Sequence, residues 1–231
     1  MTVVLAIVCD DGLVMAADTQ ITESDRGMSY PAQKLHRLGE RGAWGGSGAR
    51  SVLLDLEAIF DEQAGAILES DDVGRALQER VKPVLEHHYA NFIETVPGEE
   101  VEGTPSTYLL TAGYSGDKPW IIEINPHAMV GHYEDIGFHA VGSGAPMAQQ
   151  AGALLAHFRM TERTVDYGVV AALRVLEALS YTSPSVGGPF NIVRITPDGA
   201  HDLDDDEMES THELVVRWTD LEQKALDKLF S

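Results

Sequence analysis

The first eighteen residues constrain this chain more than any other stretch. Residues 2–8, Thr-Val-Val-Leu-Ala-Ile-Val, are all apolar or β-branched. An uninterrupted run of that kind reads as a strand buried on both faces. Asp10-Asp11-Gly12 supplies a tight turn, and residues 13–18, Leu-Val-Met-Ala-Ala-Asp, return as a second strand. The leading residue of this hairpin is Thr2. Its side chain is small, so removal of Met1 is expected to leave Thr2 with a free α-amine. One residue would then carry both a hydroxyl nucleophile and an amine base.

The chain beyond the hairpin alternates between sheet and helix signals. Residues 19–32 are polar, with Gly27 and Pro31, and read as a surface loop. Residues 34–38 and 43–47 read as strands around Gly39-Glu40-Arg41-Gly42. Val52, Leu53, Leu56, Ile59, Phe60 and Ile67 then fall at helical spacing and predict a helix over 48–70. Asp71 or Asp72 caps a second helix to about residue 95, which Pro83 should kink or restart. A loop at 97–105 precedes four strands at 106–112, 120–125, 128–133 and 137–141. Two helices, 146–158 and 164–181, and a strand at 189–196 follow. The tail holds an acidic run, a strand at 213–218 and a helix from Asp220.

Helices arrive in consecutive pairs rather than between single strands, which excludes βαβ winding. The expected fold is α+β, a four-layer αββα sandwich of two antiparallel sheets. It forms a single domain over 1–231, with a C-terminal extension at about 197–231.

Composition narrows the setting. Among 231 residues, 44% are apolar, and no run reaches membrane-spanning length. The formal charge of -21 repels phosphates and so argues against nucleic acids and anionic membranes. A single cysteine excludes an internal disulfide and fits a reducing cytoplasm. The start lacks the basic flank of a signal peptide.

A threonine hydroxyl needs help near neutral pH. An α-amine, with an ordinary pKa of about 7.7–8.0, can act as its base. A lysine would favour the alkoxide, an aspartate would fix that lysine, and a backbone N–H from a glycine turn would hold an oxyanion. Thr2, Asp18, Lys34 and Gly48 supply these parts in order.

That order resembles the proteasome β-subunit family and its bacterial relative HslV, which are N-terminal-nucleophile (Ntn) hydrolases. The resemblance covers about residues 2–196. The family's aspartate, lysine and oxyanion glycine fall on Asp18, Lys34 and Gly48 without a gap. Ala140-Val141-Gly142-Ser143-Gly144-Ala145-Pro146 is similar to the family's Gly-Ser-Gly turn, which makes Ser143 the residue that positions the nucleophile. The primary specificity pocket maps onto Ile21, Ala32, Gly46 and Arg50. Gly46 would leave it deep. Arg50 would favour acidic side chains or pair with a local carboxylate. At 180–188 the chain departs from the family: Ser183 stands where an aspartate is usual and Val186 where a serine is usual, with Ser185 beside them.

The resemblance implies a threonine endopeptidase subunit in a homo-oligomer, usually rings, acting on unfolded polypeptide with an ATPase unfoldase as partner. No cofactor is required. A monovalent cation, sodium or potassium, could be held by backbone carbonyls near Tyr181-Thr182. Two other functions fit the same fold, a non-catalytic ring or scaffold subunit and an Ntn amidohydrolase acting on small amides.

Other residues have plainer readings. Cys9 reads as a buried filler at a strand end. His127, His132 and His139 lack zinc-site spacing and read as surface histidines, so no metal is expected. Asp202, Asp204, Asp206 and Glu213 mimic calcium-loop spacing, but Glu207 replaces the required glycine, and a solvated acidic loop is expected. Gly45-Gly46-Ser47-Gly48 lacks the lysine of a phosphate loop.

Overall fold

A computed structural model of the chain describes residues 2–23, 28–95, 97, 104–184 and 186–231. In chain order the strands and helices are β1 (Val4–Val8), β2 (Leu13–Ala17), β3 (Gln20–Glu23), β4 (Met28–Pro31), β5 (Leu35–Arg37), β6 (Gly42–Gly48), α1 (Arg50–Leu68) and α2 (Val73–Ala90). There follow β7 (Thr107–Ser115), β8 (Lys118–Ile124), β9 (Val130–His132), β10 (Phe138–Val141), α3 (Ala145–Leu155), α4 (Val165–Thr182), β11 (Asn191–Thr196), β12 (Gly199–Asp202) and α5 (Asp205–Phe230).

Two five-stranded antiparallel sheets form, in the orders β10-β1-β2-β11-β12 and β5-β6-β7-β8-β9. The side chains of the opening hairpin show how they stack. Val3, Leu5 and Ile7 pack with Ala148 of α3 and with Leu173 and Leu176 of α4. Val4 and Ala6, pointing the other way, pack with Leu35, Ala43, Leu110 and Ile121 of the facing sheet. The far side of that second sheet sets Trp44, Leu109 and Ile122 against Leu56, Phe60, Leu77 and Val81 of α1 and α2. The architecture is therefore the αββα sandwich. Each such side chain contributes about 1.5–3 kcal/mol on full burial.

With both faces of β1 apolar, hydrophobic patterning alone does not set its register. The turn does: Cys9 N–H donates to Gly12 O at 2.8 Å, and Val8 pairs with Leu13.

Several expectations change. Residues 19–32 are not a bare loop. They form a β3–β4 ribbon in which Ile21 pairs with Tyr30. Their polarity reflects exposure, and an exposed ribbon still satisfies its backbone by pairing. Pro83 does not restart α2, which runs through it to Ala90. It lies on an exposed face, where water can take the carbonyl bond that its missing N–H gives up. Most of the loop expected at 97–105 lies outside the described residues.

The tail differs most. There is no strand at 213–218. β12 adds to the first sheet beside β11, and α5 is one helix of 26 residues. Thr211, Val215 and Trp218 recur at helical spacing, and the last two pack into the α3–α4 core. The acidic run caps this helix. Asp204 accepts from Glu207 N, and the Glu207 carboxylate accepts from Asp204 N. Three carboxylates in its first turn suit the positive end of the helix dipole. Arg174 of α4 pairs with Glu222 and lies 4.2 Å over the Trp218 ring. Among the described residues no helix is long and apolar enough to cross a membrane.

Candidate active site

Strand pairing brings the sequence-predicted residues together. Val4 pairs with Val141 on one side and Ala17 on the other. This sets Thr2 between the 142–144 turn and the end of β2. The turn grips the backbone of Thr2 on both sides. Ser143 Oγ accepts from Thr2 N at 3.0 Å, and Gly144 N–H donates to Thr2 O at 3.0 Å. The close approach needs Gly142, whose φ is +97° and whose Cβ, if present, would lie 2.3 Å from Thr2 O.

Asp18 follows β2 and is fully buried. Its Oδ1 accepts from Val3 N at 2.9 Å, which ties it to the residue beside Thr2. Lys34 precedes β5 and donates to Asp18 Oδ1 at 2.9 Å, to Oδ2 at 2.8 Å and to the carbonyl of Gln20 at 2.6 Å. Burial holds the Lys34 amine below the ordinary lysine range, and Asp18 opposes that shift.

Thr2, Lys34 and Gly48 line one cavity of about 450 Å3. All four sequence-predicted pocket residues, Ile21, Ala32, Gly46 and Arg50, line it too. Gly48 closes β6 with φ +146°, and a Cβ there would lie 2.2 Å from Ser106 O. Gly46 lets Leu53 of α1 pack onto β6, since a Cβ would lie 2.4 Å from Leu53 Cδ2. Of the two roles open to Arg50, pairing with a local carboxylate is not seen: it makes no ion pair among the described residues. The cavity's own carboxylate, Glu57, instead pairs with His36 Nδ1 at 3.2 Å. The His36 ring stacks on Trp44 with centroids 4.6 Å apart. Burial lowers the His36 pKa, while Glu57 and Asp61 oppose the shift.

Sequence reasoning missed His36, Trp44 and Glu57. The first had a readable signal, because His36 lies two residues from Lys34 and alternate residues of an extended chain face the same way. The Gln20 carbonyl had none, since every residue carries one. Thr19 was also missed. It is buried, its hydroxyl donates to Pro189 O at 2.6 Å, and it joins β2 to the segment after α4.

That segment departs from the family pattern in structure as well. Ser183 is buried, and Val186 is an apolar member of the core beneath Gly144. Ser185 lies outside the described residues, as does Met1. The carbonyls of Leu179, Ser183 and Pro184 already accept from Ser183 N, Val186 N and the Gln20 amide.

Cys9 is buried and its thiol pKa is pushed up to about 12, first by burial and then by Asp11. His139 is not a surface residue: it is buried between sheets and bonds Glu123. Among the described residues no cluster of three His, Cys, Asp or Glu side chains could hold a metal ion.

The sandwich, with β1 inside one sheet between β10 and β2, is the Ntn-hydrolase fold. Residues 2–195 match the family described as Proteasome subunit, and the chain belongs to that family. It is 27% identical over 209 residues to the proteasome subunit beta of Archaeoglobus profundus, covering 90% of each chain. It is 25% identical over 209 residues to the proteasome subunit beta 1 of Thermococcus onnurineus, covering 90% of this chain and 95% of that one. Among solved structures it resembles the Gly-1 mutant of Anbu from Hyphomicrobium sp. strain MC1, with TM-score 0.73, 18% identity and full coverage of both chains. Anbu (ancestral beta-subunit) from Yersinia bercovieri gives TM-score 0.72 at 14% identity, covering 99% of this chain and 96% of that one.

Proposed function

We propose that the protein is a threonine-type endopeptidase subunit of a proteasome-like, self-compartmentalising assembly, with Thr2 exposed by removal of Met1. The observation that carries this reading is that the cavity holding Thr2 also holds Lys34, Gly48 and all four expected pocket residues.

In this mechanism Thr2 Oγ attacks the peptide carbonyl, and the Thr2 α-amine takes the hydroxyl proton, through a water. Charged Lys34, held by Asp18, favours the alkoxide. The carbonyl oxygen becomes an oxyanion that accepts from Gly48 N–H. The protonated α-amine then gives its proton to the leaving nitrogen, the C–N bond breaks, and an ester to Thr2 remains. Water, deprotonated by the same amine, hydrolyses the ester. Ser143 keeps the amine in place throughout. Homo-oligomeric rings in the cytoplasm would restrict this site to unfolded polypeptide, delivered by an ATPase unfoldase.

Intact mass and reaction with a β-lactone test the reading. The expected result is a mature chain beginning at Thr2 and one adduct per chain, absent in Thr2→Ala and in Lys34→Ala. A chain that keeps Met1 in the assembled protein, or an adduct that survives Thr2→Ala, overturns it. Turnover of small amides without peptide cleavage would mark an amidohydrolase instead.

A further inference from the structure

We propose that a second cavity, beside Ser143, takes the leaving-group side of the peptide and selects a cationic residue just after the cleaved bond, with Glu123 as the recognising carboxylate. The inference rests on the threonine-peptidase reading above.

This cavity has a volume of about 570 Å3 and is lined by Ser47, Ser106, Tyr108, Glu123, Ser143 and Gln149, among others. It meets the first cavity at Gly48, which lines both. The chemistry assigns the two. The base that takes the hydroxyl proton is the group that returns it to the leaving nitrogen. Here that base is the Thr2 nitrogen, a free amine once Met1 is removed, and this nitrogen faces Ser143 Oγ at 3.0 Å. The leaving nitrogen therefore lies on the Ser143 side, and the chain attached to it enters the cavity that Ser143 lines. The acyl portion occupies the cavity of Lys34 and Arg50.

The two cavities differ in charge. The first is lined by Lys34 and Arg50 beside one carboxylate, Glu57, whereas the second has Glu123 and no lysine or arginine among the described residues. Glu123 stands on β8 with 18% of its side chain exposed. One carboxylate oxygen is held by His139 Nε2 from β10. The His139 ring is itself fixed, stacked on Tyr133 at 3.5 Å and bonded through Nδ1 to the Gln149 amide at 3.0 Å. With that amide donating to Nδ1, the ring proton lies on Nε2 and points at Glu123. Glu123 Oε1 has no partner among the described residues. A carboxylate pinned by one oxygen, with the other open to a cavity, is pre-organised for an ammonium or guanidinium group. The hydroxyls of Ser47, Ser106 and Tyr108 supply further acceptors.

The test uses the full-length, processed protein and matched quenched peptides that differ only in the residue after the scissile bond, Arg, Leu or Glu. Cleavage sites are read by mass. The Arg:Leu ratio of kcat/KM is expected to be ten or more, about 1.4 kcal/mol, with Glu below Leu. In Glu123→Gln the ratio should fall to near one, and in Glu123→Asp it should lie between. A ratio within one preparation does not depend on the fraction folded. Thr2-dependent cleavage with a wild-type ratio near one overturns the subsite alone, as does a ratio unchanged in Glu123→Gln. Absence of any Thr2-dependent cleavage overturns the peptidase reading, and the subsite with it.

Discussion

Lys34 Nζ spans the two carboxylate oxygens of Asp18 at 2.9 and 2.8 Å, and both residues are buried. The pair joins the end of the opening hairpin to the strand that lines the first cavity. Removing one partner leaves an unmatched charge in the interior, which is where breaking an ion pair is most harmful. Asp18→Asn is expected to lower stability by about 3–5 kcal/mol in denaturant unfolding. A loss below about 1 kcal/mol would mean that Lys34 finds another counter-charge.

The same pair sets a pH dependence. Burial lowers the Lys34 pKa, and Asp18 partly restores it. Activity that needs charged Lys34 should therefore fall on the alkaline side before the ordinary lysine value of about 10.4. In Asp18→Asn this limb should move to still lower pH, because the opposing effect is gone. For stability the sign is the reverse. The folded state releases this proton before the unfolded chain does, so stability from this group rises with pH between the two pKa values. An alkaline limb unmoved in Asp18→Asn would show that another group controls it.

Ser143→Ala removes the acceptor of Thr2 N. We expect kcat to fall by about ten- to a hundredfold with little change in KM, because a misplaced base weakens proton transfer more than binding. Gly142→Ala acts through the backbone instead. Its φ of +97° and the contact with Thr2 O disfavour any side chain, and thermal unfolding should report a loss of about 1–3 kcal/mol together with lost activity. If Gly142→Ala kept full stability and rate, the tight turn around Thr2 would be wrong.

Arg50 lines the first cavity and makes no ion pair among the described residues. Peptides with Glu before the scissile bond should be cleaved faster than their Leu counterparts, and Arg50→Ala should erase about tenfold of that ratio, as expected for one charge-assisted bond. An unchanged ratio would show that Arg50 does not meet the substrate.

Asp204→Ala should cost about 1 kcal/mol by removing the cap of α5. Stability curves and helix content by circular dichroism would show it. An effect on peptide cleavage beyond that loss would couple α5 to the site.

The four-layer order was legible because an uninterrupted apolar run and the 3.6 period survive in the sequence: β1 read as buried on both faces, and α1 showed its stripe at Val52, Leu56 and Phe60. The residues grouped around Thr2 were legible for a different reason. Asp18, Lys34 and Gly48 stand at strand ends, after β2, before β5 and at the close of β6, so their spacing along the chain carries over into position. The β3–β4 ribbon and α5 were misread where local polarity stood in for structure. At 213–218 the apolar run Leu214-Val215-Val216 hid a helix, in which Leu214 and Val216 are half exposed and Val215 is buried. The cap of α5 read as a solvated acidic loop, because exposed carboxylates suit both.

By itself the sequence determined the buried opening hairpin, the pairing of helices around two sheets and the register that links Thr2 to Asp18, Lys34, Gly48 and Ser143. These are local or periodic properties, which a linear chain records. Tertiary structure alone decided that the Gln20 carbonyl completes the Lys34 cradle, that Glu57 pairs with His36 rather than with Arg50, and that Glu123, His139 and Gln149 meet beside Ser143. Those three come from β8, β10 and α3. Their meeting depends on strand order and on the packing of a helix over a sheet edge, so no spacing in the sequence encodes it.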